Sequence, residues 1–214
     1  MTNGISEPIS QGKHRKDAEE NGRMEEVVDL LLRSSCKDEG ELCSWSAYRR
    51  SLYEEQEFVE DYIKSANCWI SLNEVFALGV PGPSGSENDT FVDRNGHIVY
   101  KMNNLIHAGS YFKLFHRLLL HNELFPQTAY TLVGFTGFRG RTIYPLFAQG
   151  YVENATASQP EEIQRHMHSL GFTKTKEWTY ENDRFIISDL KPKNVLKDAD
   201  GDFYIIDAEI AIRE

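Results

Sequence analysis

Cysteine is scarce in this chain of 214 residues: Cys36, Cys43 and Cys68 are the only three, with no CxxC pair and no histidine in ligand register. An odd, irregularly spaced set excludes a disulfide framework and a zinc pattern, and reads as reduced thiols in a cytoplasmic protein. Basic tracts are missing as well. The formal net charge is -10, acids outnumber bases in both parts of the chain, and no cluster offers the several phosphate contacts that nucleic-acid affinity requires. Long apolar runs are also absent. None approaches the roughly 20 residues that span a bilayer, and the opening MTNGISEPISQGKHRKDAEENG has no apolar signal core. The expectation is a soluble, intracellular protein with neither nucleic acid nor membrane as partner.

What is present can build a core. The chain is 40% hydrophobic and 12% aromatic, at a length that fits one domain or a small two-lobed one. Residues 1–22 hold few large apolar residues and are expected to form a disordered tail. Residues 23–74 read as a helical region: MEEVVDLLLR has apolar residues at helical spacing, and SAYRRSLYEEQEFVEDYIKSA sets Tyr48, Leu52, Phe58, Tyr62 and Ile63 on one side. From residue 75 the pattern changes. Asn95-Gly96 between TFVD and HIVYKM is a strong hairpin signal that puts Lys101 near the end of the second strand.

HAGSYFKLFHRLLLHNELF reads as a helix whose apolar line runs through Phe112, Phe115 and Leu119, and Glu123, eleven residues beyond Phe112, returns to that line. TAYTLVGFTGF and TIYPLFAQGYV make a second hairpin. In SQPEEIQRHMHSLGF, Ser158 is the expected helix cap and Gly171 the stop. KDADGD, between NVL and FYIID, lacks the twelfth-position glutamate of a calcium loop and reads as a turn. His166 and His168, two apart, point to different sides of a helix and read with the other histidines as structural.

The closing SDLKPKNVLKDADGDFYIID carries the chemistry. Asp189, Lys191 and Asn194 lie within six residues, and Asp207 follows thirteen after Asn194. Phosphoryl transfer needs an acid to orient the acceptor, a cation for the phosphate, and oxygen ligands for metal; one loop and the next hairpin can supply all of these.

DLKPKN resembles the catalytic loop of protein kinases, and IIDAE resembles their metal-binding DFG segment. Together with GSENDTF, IVYKMNN and LFPQTAYTLVGF, the pattern looks most like the small predicted kinase domain of bacterial polyvalent proteins, found on mobile elements. The resemblance covers about residues 75–210. It implies an α+β, reduced protein-kinase-like fold: an antiparallel N-lobe sheet (75–152), a truncated C-lobe (153–214) and the N-terminal helical region.

By that resemblance Asp189 is the catalytic base, Lys191 and Lys101 contact phosphates, and Asn194 and Asp207 bind Mg2+. Glu123 is the ion-pair partner of Lys101. Gly82, Gly85 and Ser86 sit in the loop over the phosphates of ATP, although GxGxxG is not matched. Gln149, Gly150, Tyr151 and Val152 stand at the hinge that receives adenine. Ile187-Ser188 replace the usual His-Arg before Asp189, DFG appears as Asp207-Ala208-Glu209, and only seven residues follow Asp207.

The resemblance thus implies an ATP/Mg-dependent phosphotransferase acting on a Ser/Thr/Tyr or other hydroxyl. The alternative is a catalytically weak pseudokinase, a nucleotide-binding module whose protein partner completes the C-lobe. A third reading is a structural domain with a kinase-like ending by accident.

Overall fold

Capping side chains decide where the helices begin. The computed structural model describes residues 11–35, 48–138 and 141–213, with side chains from residue 21. Helix α1 spans Gln11–Ser35. The stretch 11–22, expected as tail, is therefore helical: its Lys, Glu and Ala residues favour helix and extend one anchored by the packing of Met24, Val27 and Leu31. Residues 1–10, Cys36 and Cys43 lie outside the described residues.

Helix α2 is Leu52–Ala66. It starts later than the pattern suggested because Ser51 and Glu54 close a reciprocal capping box, with Ser51 N–H donating to the Glu54 carboxylate at 2.8 Å. Ser71 and Glu74 repeat the device at the short α3, Leu72–Ala77. Helix α4 is Tyr111–Leu124, and α5 is Pro160–Ser169. The α5 cap is Gln159 with Glu162, not Ser158, whose N–H instead donates to Val195 O. Gly171 follows with φ +84°, the left-handed stop expected of it.

Five strands form one antiparallel sheet in the order β1-β2-β3-β5-β4: Gly79–Pro81, Asn88–Asp93, Ile98–Asn103, Tyr130–Gly137 and Ile143–Gly150, numbered in chain order. The β2–β3 turn is fixed by Gly96 at φ +77° and by Asp93, whose carboxylate accepts from the N–H groups of Asn95, His97 and Ile98. Lys101 lies on the central β3, opposite Thr90 and Phe147.

Beyond residue 152 come two smaller sheets. One joins β6 (Thr156–Ala157), β10 (Val195–Lys197) and β11 (Phe203–Ile205); the other orders β7 (Thr173–Lys176), β8 (Thr179–Glu181), β9 (Phe185–Ser188) and β12 (Glu209–Ile212) as β12-β9-β8-β7. KDADGD is a turn, its Asp198 carboxylate accepting from the N–H groups of Asp200 and Asp202.

Two main cores result. The first packs Val27, Leu31, Val59 and Tyr62 of α1 and α2 with Phe115, Phe135 and Phe147. The N-terminal helices are thus part of the sheet's own core. The second core packs Ile163, Met167, Tyr180, Ile187, Leu190 and Ile205, and the end of α4 reaches it through Leu120 and Phe125. A buried carboxylate joins α2 to α4: Glu55 accepts from Ser110 Oγ (2.7 Å) and Tyr111 N–H (2.6 Å), covering the N-terminus of α4. No helix among the described residues is long and apolar enough to cross a membrane.

Candidate active site

Strand β9 delivers Asp189, whose φ of +61° lies in the left-handed region that aspartate tolerates through local hydrogen bonds. In that conformation both its carbonyl (2.8 Å) and its carboxylate (2.9 Å) accept from Asn194 Nδ2. Lys191 Nζ lies 2.5 Å from Asp189 Oδ1, which raises the lysine's pKa through the hydrogen bond and charge of that carboxylate. Pro192 opens the 3-10 turn Pro192–Asn194, which carries Asn194 inward to a buried position. The loop is therefore a closed network of the three residues, with the amide oxygen of Asn194 left as an acceptor.

Asp207 is brought to this loop by strand pairing. Val195 opposes Ile205, and Ile206 N–H donates to Asn194 O at 3.0 Å, so Asp207 follows the residue that is bonded to Asn194. Lys101 reaches the same place from the sheet: its Nζ donates to Ile206 O (3.0 Å) and to Tyr130 OH (2.9 Å). Tyr130 OH donates to the same carbonyl at 2.7 Å. Burial drives the Lys101 pKa down to about 8, opposed by the charges of Asp207 and Glu87 and assisted by that of Arg117.

Glu123 does not pair with Lys101. It is exposed and faces Arg184 at 3.5 Å. The line it shares with Phe112 is covered through Phe115 and Leu119, with Phe112 stacking on Tyr48 at 4.0 Å between centroids, and it comes out into solvent at Glu123. The charged residue that α4 does turn inward is Arg117. Its Nη2 lies 2.7 Å from Glu87, and its Nη1 hydrogen-bonds Glu209.

The loop expected to cover the phosphates also departs from expectation. Gly82 N–H donates to Thr90 O (2.9 Å) and Gly85 N–H to Asn88 O (3.0 Å), so these amides serve the hairpin and are not turned outward. Ser86 Oγ is 2.9 Å from His107 Nε2. At the expected hinge, Gln149 lies inside β5, paired with Val99 and Tyr130, and its buried side chain donates to Thr128 O at 2.6 Å. Its backbone is committed to the sheet. Tyr151 N–H donates to His97 O at 2.9 Å, and Val152 is half-buried beside it.

The sequence reading missed Arg117, Glu87, Glu209 and Tyr130. The signal for Arg117 was a cation in the middle of an apolar helix face; the others carry none, because they meet only in three dimensions. Two surface hollows of about 560 and 310 Å³, one between α1 and α2 and one at β7–β8, contain none of these groups.

Among the described residues no group of three or more His, Cys, Asp or Glu could hold a metal. Asp207 and Asn194 supply one carboxylate and one amide oxygen, donors of the type that magnesium takes beside phosphates and water.

A comparison with curated proteins finds no match. A family model described as the serine/threonine/tyrosine kinase found in polyvalent proteins matches residues 53–214, from the first turn of α2 onward. The chain belongs to that kinase family.

Proposed function

We propose that the chain is an ATP- and Mg2+-dependent phosphotransferase acting on a hydroxyl acceptor, as expected of a kinase on a bacterial mobile element, with the crevice between the sheet and the Asp189 loop as its site. One observation carries the reading: Lys101 of the sheet donates to the carbonyl of Ile206, the residue before Asp207. This bond supports the reading because it sets a buried cation beside Asp207, the pair to which phosphate and metal binding are here assigned.

In this reading Lys101 and Lys191 balance phosphate charge, and Asn194 and Asp207 would hold the metal, which neutralises the phosphates when bound. Asp189 orients the acceptor and takes its proton as the acceptor oxygen bonds to the γ-phosphorus and ADP leaves. Transfer of labelled γ-phosphate to the chain itself or to a generic protein acceptor tests this. Asp189→Asn should lower the rate by roughly 10²- to 10⁴-fold; transfer unaffected by that substitution rules out the assignment.

The inward amides of Gly82 and Gly85, and the lack of a Glu123–Lys101 pair, favour a second reading. The domain would bind nucleotide but transfer phosphate poorly, acting with a protein partner. Metal-dependent binding without measurable transfer would select it.

A further inference from the structure

Arg117 sits in the apolar face of α4, between the buried Leu114 and Leu118, with its side chain only 10% exposed. A buried guanidinium is costly unless it is paired and hydrogen-bonded. Here it has two carboxylates, one from each side of the crevice. Glu87 ends the loop before β2, 2.7 Å from Nη2, and its carbonyl accepts from Asn104 N–H at 2.9 Å. Glu209, bonded to Nη1, opens β12 two residues after Asp207 and pairs with Ser188, the residue before Asp189.

We propose that Arg117 is a positioning residue whose guanidinium ties the loop over the crevice to the segment that follows Asp207. Its planar fork can hold two carboxylates in fixed directions, which a lysine's point charge cannot. The two acids repel each other, and the cation between them draws the loop and the segment together. The functional part of this inference rests on the nucleotide-site reading above; the mechanical part does not.

Amide hydrogen exchange on the full chain without nucleotide tests the tie, over residues 82–88 and 206–212. Glu87→Gln should speed exchange in its own loop and also in β12. Glu209→Gln, at a half-exposed position, should speed exchange in β12 and also in the loop of Glu87. The double substitution should be no faster than the faster single one, because both act through one guanidinium. Effects confined to the substituted segment, or additive in the double variant, would overturn the proposal.

Arg117→Lys, which keeps the charge but loses the fork, should loosen both segments while cooperative unfolding is retained. Wild-type exchange in both segments would count against the tie. With Mg-ATP, the same variant should lose roughly tenfold or more in kcat/KM, on the scale of groups that support metal ligands. If the native chain binds no Mg-ATP, the nucleotide reading fails, while the exchange pattern still decides the tie.

Discussion

Lys101 is where burial and charge meet most sharply. Its amine is held at a pKa of about 8 against an ordinary 10.5. The ammonium form therefore costs the fold stability below about pH 8, and that cost is relieved as the pH climbs toward 10.5. Phosphate binding requires the ammonium, so nucleotide affinity should weaken above pH 8 by up to about tenfold per pH unit. Lys101→Met should flatten the dependence, and a flat profile in the native chain would contradict the role. That Asp189, Lys191 and Asn194 share one loop, with Asp207 at the end of the next hairpin, was legible in the sequence because their spacing is local. Glu123 was misread because helical periodicity reports which residues share a line, not where along the line a neighbour such as Tyr48 covers it. Arg117 was overlooked because its partners lie 30 and 92 positions away.

At the level of elements, the hairpins and most helix bodies were readable from alternation, Asn-Gly and apolar spacing. The helix starts were not: Ser51 closes a box with Glu54 through its side chain, and at Gln159 it is the Glu162 carboxylate that accepts from the backbone N–H. Least visible was the joint between α2 and α4. Glu55 is fully buried, and burial raises its pKa despite the hydrogen bonds of Ser110 and Tyr111 that favour the charged form. Those bonds orient the helix that carries Arg117. Glu55→Ala would leave Ser110 Oγ and Tyr111 N–H without their acceptor and should destabilise the chain by about 1–3 kcal/mol. Urea unfolding of the variant measures this, and an unchanged midpoint would mean that α4 is held by its apolar face alone.

In the whole molecule, two cores are joined by α4 and by polar bonds onto consecutive carbonyls: Thr128 Oγ1 to Ile205 O at 2.6 Å, and Lys101 and Tyr130 to Ile206 O. His121 lies in this joint with a pKa lowered to about 3, chiefly by burial and then by the charge of Lys101; burial lowers His116 to about 4. Both are neutral in the fold and take up protons near 6.5 when unfolded. The stability they lend is complete above that value and is lost as the pH falls toward 4, at up to about 1.4 kcal/mol per pH unit for each. Unfolding free energies at pH 7 and pH 5 should therefore differ by a few kcal/mol, the raised carboxyl of Glu55 working in the opposite direction, whereas equal values would contradict neutral burial. Joining the cores in this way brings Lys101 to the segment of Asp207, a proximity that the spacing of residues along the chain does not itself establish. In the function proposed above, these groups receive a metal–nucleotide complex. Thermal unfolding with and without ATP and Mg2+, on the native chain and on Asp207→Ala, tests it most directly. Stabilisation of roughly 2.7 kcal/mol is expected at a hundredfold excess over the dissociation constant, dependent on Mg2+ and lost in the variant. An unshifted transition at millimolar nucleotide, or an equal shift in Asp207→Ala, would contradict it.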